Sequence, residues 1–204
     1  MGKPLSAIFL RLSLEKKLFP FFTPLLQRGV RVRVQVGCSL RRLLEDQFGL
    51  NPEYMKERVK TVFLDGKPVD DWDTVLVQDG SVLALSAAMP GLAGATLRRG
   101  GFFAGMRSQI THREKQSPVS PEEGWVMVKL FNLLIPELGP LFLERGILVP
   151  PEEFAEFRKS TPDELWRRGK EKKGEGGERG EYQCPSLDGF SETGWVLLSV
   201  HLEP

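Results

Sequence analysis

The stretch TVFLDGKPVDDWDTVLVQDGSVLALSAAMPG, residues 61–91, decides how the first half of the chain is read. It holds two Asp-Gly pairs beside strand-forming residues. Val62, Phe63 and Leu64 precede Asp65-Gly66, and Val82, Leu83 and Leu85 follow Asp79-Gly80. Gly adopts positive φ without steric penalty and Asp tolerates it, so Asp-Gly between β-rich runs signals a tight turn. Strands are expected near residues 62–64, 75–77 and 82–87.

Upstream, Ser39 stands as a helix cap. Leu40, Leu43, Leu44 and Phe48 follow at helical spacing, and Gly49 stops the run. Asn51-Pro52 opens a second short helical turn, with Asn as cap and Pro in the first position. Two alternating runs come before. Ile8, Leu10, Leu12 and Leu14 alternate with Phe9, Arg11 and Ser13; Val30, Val32, Val34 and Val36 alternate with Arg31, Arg33 and Gln35. Successive strand residues point to opposite faces, so each run has one aliphatic face. The order strand, strand, helix, strand, strand over residues 1–94 predicts a β-grasp domain in an α+β protein.

If the first two strands pair, Arg11, Arg31 and Arg33 share one sheet face. Like charges there want acidic partners, and the face is a candidate docking surface. The segment LFPFFTPLL between the strands carries Pro20 and Pro24, which discourage continuous regular structure. Its Phe19, Phe21, Phe22, Leu25 and Leu26 form an apolar cluster. Exposed, Phe21 and Phe22 are partner-binding candidates; otherwise the cluster packs inside the protein.

Three segments carry a resemblance: VRVQVGCSLRRLLEDQFGL (residues 32–50), VFLDGKPVDD (62–71) and DGSVLALSAAMPG (79–91). They are similar to the ubiquitin-like β-grasp group, and within it to the small sulfur carriers of molybdopterin and thiamine synthesis. The resemblance covers less than half of the chain. It implies a carrier whose free C-terminal Gly-Gly is adenylated and then thiocarboxylated, the glycines allowing a side-chain-free tail to thread into a partner's active site. Here the corresponding point, Gly91-Leu92-Ala93-Gly94, is internal. So is the ubiquitin-like Leu97-Arg98-Arg99-Gly100-Gly101, whose last carboxyl is tied to Phe102. Arg98, Arg99, Gly100 and Gly101 are therefore either a processing site or a basic, Gly-rich turn.

Residues 95–119 read as a Gly-rich, basic linker. Arg98, Arg99, Arg107, His112, Arg113 and Lys115 face a single acid, Glu114. They are a candidate anion site or plain solvated charge. Residues 120–204 read as mainly helical. Ser120-Pro121-Glu122-Glu123 is a capping box, predicting a helix through Leu130 toward Ile135. Thr161-Pro162-Asp163-Glu164 is a second box, opening a helix with Leu165 and Trp166. RRGKEKKGEGGERGE is expected to be mobile. The last run alternates again, with Val196, Leu198, Val200 and Leu202 on one face. That final strand must pair with the N-terminal sheet or with another protomer.

Composition narrows the function classes. The chain has 204 residues, 41% hydrophobic and 27% charged, at net charge +1, so it carries no whole-protein footprint for nucleic acid. Met1-Gly2-Lys3-Pro4-Leu5-Ser6 fits an acylation pattern short enough to arise by chance. The most apolar run, residues 125–143, is broken by Lys129, Asn132, Pro136, Glu137 and Pro140, so no membrane span is expected. Cys38, Cys184, His112 and His201 are the entire Cys and His inventory and lack ligand spacing, which predicts no metal and fits a reducing cytoplasm. Cys38 precedes a helix, where the dipole could activate it; a packed thiol is the simpler expectation. Asp70, Asp71 and Asp73 around Trp72 read as a solvated turn. The expected function is a non-enzymatic β-grasp module without cofactors that binds a protein partner and could self-associate. The alternatives are a carrier or modifier exposed by cleavage, and an enzyme or binder for an anionic small molecule near residues 98–113.

Overall fold

The computed structural model describes residues 7–88, 91–97, 122–167, 169–172 and 195–203. In chain order these form β1 (Ala7–Glu15), a 3-10 turn (Lys16–Phe22), α1 (Thr23–Arg28) and β2 (Val30–Val36). Next come α2 (Leu40–Arg42), which runs on as a π-helical turn (Leu43–Gln47), then α3 (Pro52–Arg58), β3 (Thr61–Leu64) and β4 (Lys67–Pro68). β5 (Val82–Ser86), α4 (Gly91–Leu97), β6 (Glu122–Phe131), α5 (Leu134–Arg145) and β7 (Ile147–Val149) follow. α6 (Pro151–Ser160), α7 (Asp163–Arg167), β8 (Gly169–Lys172) and β9 (Trp195–Glu203) complete the order. The protein is α+β.

The chain divides into a central unit, Leu26–Glu137, and a terminal unit, Met1–Leu25 with Leu138–Pro204. This partition differs from the expected 1–94, 95–119 and 120–204. β1 belongs with the chain's far end, and β6 belongs with its first half. Both exchanges rest on strand pairs between distant segments, β1 with β9 and β6 with β5 and β2, and such pairing leaves no local mark in sequence.

In the central unit the strand order is β4-β3-β5-β6-β2. β5 and β6 are parallel, with Ala84 opposite Lys129; the other neighbours are antiparallel. Val30, Val32, Val34, Val36, Val62, Leu64, Leu83, Leu85, Val126, Val128 and Leu130 are all buried. The π-helical turn packs on β2, and Leu40, Leu43, Leu44 and Phe48 are buried at the spacing that predicted a helix. Ser39 Oγ accepts the Arg42 N–H at 3.3 Å, as its cap position implies. The Leu40 and Arg41 N–H groups donate to the carbonyls of Val75 and Trp72, so the loop straps the helix start.

Residues 122–131 correct the helix expected there. The capping-box pattern loses to a strict period of two: Gly124, Val126, Val128 and Leu130 are buried, and Trp125, Met127 and Lys129 are half-exposed. β-branched and aromatic residues suit a pleated surface, and a helix would not turn those four positions to one side.

Both Asp-Gly pairs turn the chain, in different ways. Asp65 (φ 51°) and Gly66 (φ 78°) make the two-residue hairpin between β3 and β4. Asp65 Oδ1 also accepts the Val82 N–H at 2.7 Å, tying that turn to β5. Asp79-Gly80 is sealed by β6 instead: the Trp125 N–H donates to Asp79 Oδ1 at 2.8 Å, and the Gly80 N–H donates to the Trp125 carbonyl at 2.7 Å. This closeness explains Gly124. A Cβ there would lie 2.8 Å from Asp79 Oδ1 and 2.9 Å from both Val36 methyls. Gly124→Ala is therefore expected to cost about 1–3 kcal/mol, read as a lower urea midpoint at unchanged m.

In the terminal unit the order is β7-β9-β1-β8. β9 runs parallel to β1 from Ala7↔Trp195 to Glu15↔Glu203, so the last strand pairs within this chain. β1 and β2 do not pair with each other. The residues between them form the 3-10 turn and α1 rather than a hairpin loop of roughly 2–5 residues. Pro24 is tolerated in the first turn of α1, where its missing N–H is not needed. Gly169–Lys172, expected within a mobile run, pairs antiparallel with β1. The core holds Leu10, Leu12, Leu14, Val196, Leu198 and Val200. Beside it Phe22 meets Phe157 (centroids 5.2 Å), which meets Trp166 (5.7 Å). The Trp166 indole N–H donates to buried Thr161 Oγ1 at 2.8 Å. Among the described residues no helix is long and apolar enough to cross a membrane.

Candidate partner-binding face

Among the described residues, the alternation that buries one face of the central sheet leaves side chains of the other half-exposed. On that face β5 presents Val82, Ala84 and Ser86, all small, between taller neighbours. Phe63 of β3 stands opposite Ala84 on one side. Met127, Lys129 and Phe131 of β6 stand opposite Val82, Ala84 and Ser86 on the other. Small residues on one strand between large ones on its neighbours make a trough. Its volume is about 430 Å³, and Phe63, Val82, Ala84, Ser86, Lys129 and Phe131 line most of it.

One end of the trough is polar. Asn132 (φ 55°) donates its side-chain amide to Ser86 Oγ at 3.2 Å and to the Ala88 carbonyl. Gly66 marks the other end, where an added Cβ would meet nothing within 4 Å. Phe131 is 37% exposed and Leu133, two residues on, is 55% exposed. No described carboxylate pairs with Lys129. Its stem crosses Gly29, where a Cβ would lie 3.0 Å from Lys129 Cγ, and Gly29 sits at φ 120°. That glycine keeps the space the lysine occupies.

No family model matches the chain, and no curated protein or solved structure is significantly similar to it.

The predicted site residues separate. Arg31 and Arg33 lie on β2 on the trough's side of the sheet, opposite Met127 and Trp125. Arg33 pairs with Glu123. Arg11 lies on β1 in the terminal unit, where its strand pairs with β9 and β8 rather than with β2. Phe22 is wholly buried, and Phe19, Leu25 and Leu26 are buried too; Phe21 alone in that cluster is exposed, at 38%. Phe22 is thus a core residue, corrected from its partner-binding role. Arg98, Arg99, Gly100 and Gly101 lie outside the described residues, as do Arg107, His112, Arg113 and Lys115. Sequence reasoning missed Phe63, Ala84, Lys129 and Phe131. The signal lay in the alternation of residues 125–131, once these are read as a strand.

The remaining candidates are structural. Cys38 is buried, its thiol donates to the Gln35 carbonyl at 3.2 Å, and burial pushes its pKa up, away from a reactive thiolate. Asp71 accepts from the Asp73 N–H and the Thr74 hydroxyl, which hold its carboxyl below the usual range. Asp73 takes both Arg41 nitrogens Nε and Nη2, so the acidic run pins α2. Among the described residues no His, Cys, Asp and Glu cluster could hold a metal ion.

Glu137 receives Arg58, and the Tyr54 hydroxyl donates to it at 2.7 Å. Arg58 first, then Tyr54, holds the Glu137 carboxyl below its ordinary 4.5. A carboxyl lowered in the folded state adds stability that is present above the unfolded value and is lost as pH falls through the folded one. Stability is therefore expected to drop as pH falls below about 4.5, in part through this group. Urea midpoints measured from pH 6 to pH 3 should fall less steeply in Glu137→Gln; equal slopes would remove the assignment.

Proposed function

We propose that this protein is a non-enzymatic β-grasp interaction module of the cytoplasm, whose docking surface is the outer face of the central sheet. A β-grasp layer has a hairpin, a crossing helix and a closing strand lying parallel beside the first. The central unit resembles it in rotated chain order, with an antiparallel pair of distant strands in place of the hairpin. β6 takes the place of the first strand and β2 of the second; the helices, β3 and β4 follow, and β5 lies parallel beside β6. That arrangement supports the β-grasp reading, although residues 1–15 do not contribute the strand expected of them.

The observation that carries the functional reading is the trough: apolar walls with Lys129 at their edge, and on the same face Arg31 and the Arg33–Glu123 pair. Apolar surface rimmed by polar groups marks a place where a partner removes water. The chemistry on offer is apolar burial with cationic steering.

The test is affinity capture from the native host with quantitative mass spectrometry. Wild-type protein is expected to retain a stoichiometric partner. Phe63→Glu with Phe131→Glu, placed at the centre of the face, should weaken retention roughly thirtyfold. Arg31→Glu with Arg33→Glu, at the rim, should weaken it less and mainly at low salt. Retention unchanged in both double variants would remove this face from consideration.

A further inference from the structure

The side chains along the trough come in three rows. Val82 makes the first row, which is apolar; Met127 stands opposite it on β6, outside the trough lining. Phe63, Ala84 and Lys129 make the second, with a cation at its edge. Ser86 and Phe131 make the third, with an aromatic wall. Neighbouring strands are about 4.8 Å apart, so the walls on β3 and β6 stand about 10 Å apart between backbones. A helix with its side chains is about 10–12 Å wide and cannot enter between them. An extended chain can, and at about 3.3 Å per residue its alternate side chains match the rows one to one.

We infer that the trough takes an extended segment of a protein partner with the pattern apolar–x–acidic–x–apolar, its carboxylate meeting Lys129 and its two apolar side chains meeting Val82 and the Ser86–Phe131 row. This rests on the interaction-module reading and names the partner's chemistry. Charge decides the middle position. Lys129 has no acidic partner among the described residues. The chain's own residues 98–115 are a poor match in sign, with Arg98, Arg99, Arg107, His112, Arg113 and Lys115 against Glu114 alone. A basic segment would bring like charge to Lys129, so residues 98–115 do not supply the occupant.

The probe is the capped peptide Leu-Ser-Glu-Ser-Phe, titrated into the isotopically labelled full chain. It should shift the amide resonances of Val82, Ala84, Lys129 and Phe131. Replacing its Glu by Lys should weaken binding roughly fivefold, as for a half-exposed ion pair. Lys129→Glu should reverse that preference, and because it changes a half-exposed side chain it leaves the fold intact. The order Glu-Ser-Leu-Ser-Phe should bind more weakly than the designed one. Equal binding of the Glu and Lys peptides, a preference that survives Lys129→Glu, or no shift because the chain already fills its own trough would each overturn the inference. If the peptide result fails while capture still depends on Phe63 and Phe131, only the pattern is lost. If both fail, the interaction reading goes with it.

Discussion

A chain ending at Gly101 is expected to show no cooperative unfolding transition. The cut removes β6, which lies between β5 and β2. Val126, Val128 and Leu130 are each wholly buried, and burial of such side chains is worth about 1.5–3 kcal/mol apiece. Their loss removes about 5–9 kcal/mol by that measure, against roughly 5–15 kcal/mol for an entire domain. β5 and β2 would both become open edges. The same cut strips β1 of β9, its parallel partner. Circular dichroism and tryptophan fluorescence through a urea series should show a broad, non-coincident change. A sharp two-state transition with an m value fitting about a hundred residues would sink the expectation. The result bears on the carrier alternative, because exposing Gly101 as a terminus means cutting the crossover between two parallel neighbours.

Trp72→Ala should be the most damaging single substitution in the central unit, at about 3–5 kcal/mol. Trp72 is 1% exposed, in a loop whose Val69, Val75 and Val77 are also buried. Its indole N–H donates to the Val69 carbonyl at 3.3 Å, and its own carbonyl accepts the Arg41 N–H at 2.8 Å. The side chain thus fills the core while its backbone holds the start of α2. Trp72→Phe keeps most of the volume and loses the N–H bond, so about 1–2 kcal/mol is expected. Urea midpoints give both values. A loss below about 1 kcal/mol for the alanine variant would mean that the loop collapses freely onto the vacated space, against the usual cavity cost.

The contrast between Trp72 and the acids around it shows what was legible. Asp70, Asp71 and Asp73 read as a turn from composition, and Asp71 does cap one. That Arg41 would reach Asp73 was not readable, because the two lie in separate elements. Ser39 and Asn51 were readable as caps because a cap is a contact within three residues. Residues 122–131 were misread for the complementary reason. A capping pattern and a strand pattern overlap there, and only the neighbours β5 and β2 make the strand pay in burial. The trough was invisible for the same cause: Ala84 and Ser86 become a floor only when Phe63 and Lys129 are set beside them.

The amino-acid order by itself determined the strands of residues 8–14, 30–36, 62–64, 82–86 and 195–202, the helix after Ser39, the turn at Asp65-Gly66 and the aliphatic side of each alternating run. These follow from dihedral preference, capping and side-chain period, all of which act within a few residues. Tertiary structure alone decided that β1 lies with β9, that β6 rather than β1 completes the central sheet, and which outward side chains line one trough. Strand partners are chosen by the burial that distant segments offer one another, and that free energy belongs to the pair rather than to either segment.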